Sequence, residues 1–307
     1  MKPLETPVAL IVFNRPDTTR RVFAAIAAVR PTCLLLIADG PRIERPGEIE
    51  RCEKVRKIVT AVDWPCELLT NFAVENMGCR RRVISGLNWV FSQVEEAIIL
   101  EDDCLPDPSF FPFCSEMLER YRDQCQLGMV AGFNSLDEDY PFDYSYFFTS
   151  AVPIWGWATW RRSWQQYDEH LQNWPEVKRS GVLNLRLPSQ RMSTYWTRVF
   201  DSMYEGTGPN TWDYQWTYTC WAQNWLNILP AKNLVENIGF GKDATHTTSG
   251  DLAPALRAEP LQFPLKHPPN IVPWAKHSLT FHARFFQPAL AKRITRKVNK
   301  LLGRHTA

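Results

Sequence analysis

The chain lacks most of the features that would place it at a glance. No two of its eight cysteines form a C-x-x-C pair, which argues against reading their even number as a disulfide framework. Cys33 and Cys104 fall at or beside the ends of predicted buried strands, so free thiols in a reducing cytoplasm are expected rather than a disulfide framework. No apolar run approaches membrane-spanning length. The first, Val8–Phe13, follows a single lysine and is too short for the apolar region of a signal peptide. No glycine-rich phosphate loop follows that run, because the next residues are Asn14-Arg15-Pro16-Asp17. No internal repeat is present. Acid is missing altogether from Pro260 to Ala307, where nine Lys or Arg stand with no Asp or Glu. The net charge of +2 therefore covers a body with 35 − 9 = 26 basic and 33 acidic residues. A net-acidic body is not that of a nucleic-acid binder.

What is present fits an enzyme-sized α/β protein. Its 307 residues, 45% hydrophobic and 22% charged, suffice for a full core. Up to about residue 130, apolar runs alternate with helical stretches. Strands are expected at Val8–Phe13, Cys33–Ala38, Cys66–Asn71, Ala97–Leu100 and around Met129–Gly132. Helices are expected after an Asp17-Thr18-Thr19 cap, from Pro46 to Val62, over Cys79–Val94 and over Ser109–Tyr121. Strand–helix alternation implies right-handed βαβ units and a mostly parallel sheet flanked by helices. After about Asp143 the alternation stops, and ten of the 13 tryptophans lie between Trp155 and Trp225. Some must be core; aromatic faces also serve as platforms for sugar rings, and at least one is expected to do so here. The expected division is a nucleotide-binding half over 1–143, a Trp-rich half over 144–255 and a basic extension over 256–307. In that extension Leu290, Ile294, Val298 and Leu301 share a helical stripe among five Lys and Arg residues. Either a solvated helix packed on the domain or a peripheral contact with an anionic membrane face explains it.

The most informative stretch is Ala97-Ile98-Ile99-Leu100-Glu101-Asp102-Asp103. An uninterrupted apolar run reads as a strand buried on both faces, and the acids at its end then stand on the rim where open α/β sheets bind ligands. Clustered carboxylates repel unless a cation or hydrogen-bond donors offset them. Hard oxygen ligands there suit Mg²⁺ or Mn²⁺, ions that commonly hold a substrate's phosphates. An acidic surface turn is the plain alternative.

With Pro106-Asp107-Pro108-Ser109-Phe110-Phe111 following it, the triplet resembles the metal-binding motif and next helix of the GT-A nucleotide-sugar glycosyltransferases. The likeness is greatest to N-acetylglucosaminyltransferase I and related bacterial sugar transferases, and it extends as scattered motifs from Pro7 to His246. The resemblance implies a GT-A type Rossmann-like sheet with a Trp-rich acceptor side. It also implies transfer from a nucleoside-diphosphate sugar, by likeness a UDP-sugar, to a glycan or glycolipid. By that likeness Asp103 ligates Mn²⁺ or Mg²⁺, Asp102 contacts the ribose and Glu101 faces the donor sugar. Asn14 and Arg15 match the first nucleotide-contact position, and Asp39 a carboxylate that reads the base or ribose, although a turn residue explains Asp39 as well. Asn76-Met77-Gly78 resembles the turn before the third helix, from which Arg80 or Arg82 would reach the diphosphate. Asp213, within Trp212-Asp213-Tyr214, resembles the catalytic base of an inverting transfer; a helix N-cap is the other reading. Tyr214 departs from the family, which carries a second acid there. Asn237–His246 resembles a loop that closes over bound donor, with Lys242 on the donor and His246 at the diphosphate or metal. The rivals are a sugar-nucleotide pyrophosphorylase, disfavoured by the missing phosphate loop, a non-catalytic carbohydrate-binding protein, and a Mg²⁺-dependent phosphohydrolase.

Overall fold

The computed structural model describes residues 2–135, 140–187, 189–239 and 257–286. Its first half follows the expected alternation: β1 (Val8–Val12), α1 (Pro16–Val29), β2 (Cys33–Ala38), α2 (Glu48–Val59), β3 (Glu67–Phe72), α3 (Cys79–Gln93) and β4 (Glu96–Glu101). Next come β5 (Cys104–Pro106), α4 (Phe110–Arg120) and β6 (Leu127–Ala131). The second half holds β7 (Tyr146–Thr149), β8 (Trp157–Trp160), α5 (Arg161–Trp164), α6 (Trp174–Ser180) and α7 (Val182–Arg186). It ends with α8 (Gln190–Tyr204), α9 (Asp213–Ala222), β9 (Leu226–Pro230), β10 (Val235–Asn237) and α10 (Ala275–Phe286).

The described strands form an eight-stranded sheet in the order β3-β2-β1-β4-β8-β6-β9-β7, and β5 pairs separately with β10. The pairs β3–β2, β2–β1, β1–β4 and β6–β9 are parallel, whereas β8 and β7 pair antiparallel to their neighbours. The protein is thus a mixed α/β molecule with a mostly parallel central sheet flanked by helices. Strands from both sides of residue 143 share that sheet.

Alternation along the strands assigns the two layers. Val8, Leu10 and Val12 of β1 join Val22 and Ile26 of α1, Val55 of α2 and Phe110 and Phe113 of α4 on one face. Ala9 and Ile11 join Val83 and Leu87 of α3 and the tryptophan helices on the other. Both faces of β1, β2 and β4 are therefore covered, which is why these strands read as unbroken apolar runs. At roughly 25 cal/mol per Å² of apolar surface removed from water, the two layers are the main stabilising term.

Two local expectations need correction. Asp17-Thr18-Thr19 does not cap α1. Pro16 opens the helix behind Arg15, and the hydroxyls of Thr18 and Thr19 donate back to the Arg15 carbonyl at 3.3 and 2.6 Å. Pro's fixed φ and missing N–H suit the first helical turn, so a polar cap is not required. The helix expected from Pro46 begins two residues later, at Glu48.

Nine of the ten clustered tryptophans are buried, from Trp157 to Trp225, leaving Trp155 partly exposed. They pack ring on ring, with Trp157 centroids 5.6 Å from Trp212 and 5.4 Å from Trp216. Three of the buried indole N–H groups donate to oxygens: Trp160 to the Leu118 carbonyl, Trp164 to Asn88 and Trp221 to the Ser150 carbonyl. Their main role is to seal α5, α8 and α9 against the second face of the sheet. All eight cysteines are free thiols, as expected. Among the described residues, no helix is long and apolar enough to cross a membrane. The basic helix expected from Gln287 lies outside the described residues.

Candidate active site

Because β1 to β4 run parallel, the turns after them meet at one rim, and β1–β4 register sets Ile11 beside Glu101. The backbone N–H of Phe13 donates to Asp102 Oδ2 at 3.2 Å. Arg15 Nη1 stands 2.7 Å from Asp103 Oδ2 and 3.7 Å from Asp102 Oδ1. The turn after β1 thus lies directly on the acidic triplet.

Three carboxyls face one guanidinium, and the balance is negative. Burial pushes Glu101 and Asp102 well above the usual carboxylate range, and the neighbouring Asp103 charge adds to the shift in both. Arg15 opposes it. Burial works against the Arg15 charge, but Asp102 and Asp103 outweigh burial and raise its affinity for the proton. A site of hard oxygens short of positive charge fits a divalent cation. Among the described residues no three His, Cys, Asp or Glu side chains converge on one point. An ion held here would therefore take one or two carboxylate oxygens from Asp103 and Asp102, with the remaining ligands from substrate and water.

Asp213 approaches from the Trp-rich half. It is the first residue of α9 rather than its N-cap, a place taken by Trp212. Its Oδ1 accepts from the Thr211 hydroxyl and, at 3.0 Å, from the Tyr214 N–H. Its charge contributes to the upward shift of Glu101. Cys79, at the start of α3, lies within reach of Glu101, Asp213 and Asp39 together; burial first, then these three charges, push its thiol up to about 12. The carboxylates after β2, at the end of β4 and at the start of α9 thus all act on this one thiol.

Other expected residues are engaged elsewhere. Asp39 accepts four hydrogen bonds: Oδ1 from the N–H groups of Gly40 and Met77, both at 2.8 Å, and Oδ2 from Asn76 Nδ2 and Gly78 N–H, both at 3.0 Å. It holds the 76–78 turn in place. Asn14 Nδ2 donates to Glu48 Oε1 at 2.8 Å. Arg80 lies against Glu169, donating to its carbonyl at 2.8 Å. Arg82 is buried, with Nη2 on the backbone and side-chain oxygens of Asn71 at 2.6 and 2.7 Å. Neither guanidinium is directed at the triplet, because burial makes a partner obligatory and β3 or Glu169 supplies it. Lys242 and His246 lie outside the described residues.

Three contributors escaped the sequence. Glu48 is almost wholly buried, takes Arg42 through its backbone N–H, Nε and Nη2, and so anchors Asn14 beside Arg15. Arg42, chiefly, with Asn14, holds its carboxyl down at about 2 against the opposing effect of burial. Gly239 rests against Asp103, where a Cβ would stand 2.2 Å from Oδ2. Trp155, packed edge-on against Phe133 at 4.5 Å, precedes β8. Since Trp157 pairs antiparallel with Ile99, the residues before β8 come to the rim where Glu101 stands. An acid in a helix's first turn, a loop glycine and one Trp among many are each commonplace in sequence.

No family model matches the chain, and no curated protein sequence does. Among solved structures it is similar to apo UDP-glucose pyrophosphorylase, at 10% identity and a TM-score of 0.35, over 73% of this chain and 90% of that one.

Proposed function

We propose that this protein is a metal-dependent glycosyltransferase that moves a sugar from a nucleoside-diphosphate sugar, a UDP-sugar by resemblance, to a carbohydrate acceptor with inversion. The observation that supports it is that two acidic elements from opposite halves of the chain act on each other: after burial and the neighbouring Asp103 and Asp102, the charge of Asp213 adds to the upward shift of Glu101. The Glu101–Asp103 triplet stands on the sheet rim, and Asp213 opens α9 in the aromatic half. Asp103, with Asp102 beside it, would hold Mn²⁺ or Mg²⁺, and that ion would offset charge on the departing diphosphate.

The remaining work falls to the chain itself. Arg15 offers a planar fork suited to phosphate oxygens. Glu101 faces the donor sugar, and Trp155 is the tryptophan placed to lie along a sugar ring. Asp213 takes the acceptor hydroxyl's proton as that oxygen bonds to the anomeric carbon and the bond to the diphosphate breaks. Its Oδ1 is oriented by Thr211 and Tyr214, leaving Oδ2 for the acceptor.

Asp213→Ala tests the reading. Transfer should fall by about 10²-fold or more, the range for loss of a general base, while Mn²⁺-dependent binding of UDP in calorimetry persists. Near-normal turnover would remove Asp213 from the chemistry. Formation of nucleoside triphosphate from donor and pyrophosphate would favour a pyrophosphorylase instead.

A further inference from the structure

Asp103 Oδ2 is enclosed on two sides. Arg15 Nη1 occupies one at 2.7 Å, and the backbone of Gly239 closes the other. That second wall is fixed, because Ile238 N–H donates to the Asp103 carbonyl at 2.8 Å and Asn237 pairs with Cys104 in the β5–β10 ladder. A divalent ion approaching Oδ2 meets a resident cation. Two positive charges a few ångströms apart in a partly buried site repel each other strongly, because little water lies between to screen them. The ion and the guanidinium therefore exclude each other from this oxygen.

We propose that Arg15 is an exchangeable counter-ion for Asp103. Without donor it holds the carboxylate. When a divalent ion and a diphosphate arrive together, its side chain moves from Asp103 to a diphosphate oxygen and leaves the carboxylate to the ion. The backbone need not move: Arg15 is anchored through its carbonyl by Thr19 Oγ1 at 2.6 Å, and the side chain is 21% exposed. The same fork that pairs with a carboxylate pairs with phosphate. Ion and nucleotide then promote each other's binding, and thermodynamic linkage makes the effect equal in both directions. The inference rests on Asp103 as the ion-holding residue.

Mn²⁺ binding by electron paramagnetic resonance, with and without UDP or GDP, tests it on the full chain. The wild type should take Mn²⁺ weakly alone and tightly with nucleotide. Arg15→Gln should bind Mn²⁺ alone at least about 5-fold tighter, the lower end of ordinary coupling, and lose most of the nucleotide enhancement. Arg15→Lys keeps the charge and should resemble the wild type toward the ion alone. If Arg15→Gln gains nothing toward Mn²⁺ alone, or Arg15→Lys gains as much as Arg15→Gln, the exchange is wrong although the ion site stands. If no variant takes Mn²⁺ even with nucleotide, the ion site and the exchange fall together.

Discussion

Gly239 stands against Asp103 with no room for a methyl group between them, since a Cβ would lie 2.2 Å from Oδ2. The contact joins the segment after β10 to the acid after β4, so the carboxylate's position depends on a residue 136 positions further along the chain. Gly239→Ala should force Asp103 or the 237–239 segment aside. We expect little change in thermal midpoint and a clear loss of Mn²⁺-dependent nucleotide binding, measured by calorimetry. Unchanged binding would show that Asp103 does not need this wall.

Glu48→Gln should be destabilising. The carboxylate is almost wholly buried and gathers Arg42 and Asn14, but Arg42 is 40% exposed and stays solvated without it, so the loss should be about 1–3 kcal/mol, the range for leaving a hydrogen-bonded group without its partner. Because the folded carboxyl titrates at about 2 instead of 4.5, its contribution is complete above pH 4.5 and fades as acid protonates it. Urea unfolding at neutral pH checks the magnitude, and an acid series on both proteins checks the window. A variant as stable as the wild type would mean that Asn14 and Arg42 hold their places without it.

Asp39→Asn should loosen the turn before α3. An amide cannot accept all four donors that now converge on the carboxylate, and each buried donor left unmet costs about 1–3 kcal/mol. Hydrogen exchange should quicken at Met77 and Gly78 ahead of the rest of α3. Exchange that is unchanged at both amides would contradict the role.

Acid should weaken the hold of α10. His277 and His282 are buried and burial lowers them from 6.5 to about 3 and about 4. Between those values and 6.5 the unfolded chain binds more protons than the folded one. Stability is therefore full above pH 6.5 and falls below it by about 1.4 kcal/mol per pH unit for each histidine. Glu101 and Asp102, whose folded values are raised, act in the opposite sense and weaken the fold as pH rises. Comparing denaturation midpoints at pH 7.5 and 5.0 for the wild type and the His277→Gln/His282→Gln variant isolates the histidines. An equal pH dependence in both proteins would rule them out.

The first half of the fold was legible because its strands are covered on both faces. β2 spans Cys33–Ala38, as the apolar run alone requires, and β1, β3 and β4 lie within a residue or so of their expected bounds. The second half was not legible, for a definite reason. In α9, Trp216, Thr217, Tyr218, Thr219, Cys220 and Trp221 are consecutive and all buried, so no solvent-facing stripe exists to betray a helical period. Strands β7, β8 and β9 are short, and the partners that make them strands lie far away in sequence. The site divides the same way. The triplet announced itself by following a buried strand, but the engagement of Asn14 by Glu48, of Arg82 by Asn71 and of Arg80 by Glu169 depends on which buried charge meets which partner.

By itself, the sequence determined where apolar runs must be buried and therefore that three carboxyls end a central strand at the rim of the sheet. Burial demands and backbone period are properties of consecutive residues, so they are written locally. Only the tertiary structure decided that Arg15 is the cation resting on Asp103, that Gly239 closes its other side and that the charge of Asp213 reaches Glu101. Those facts depend on distances between residues far apart in the chain, and electrostatic pairing follows distance, not sequence separation.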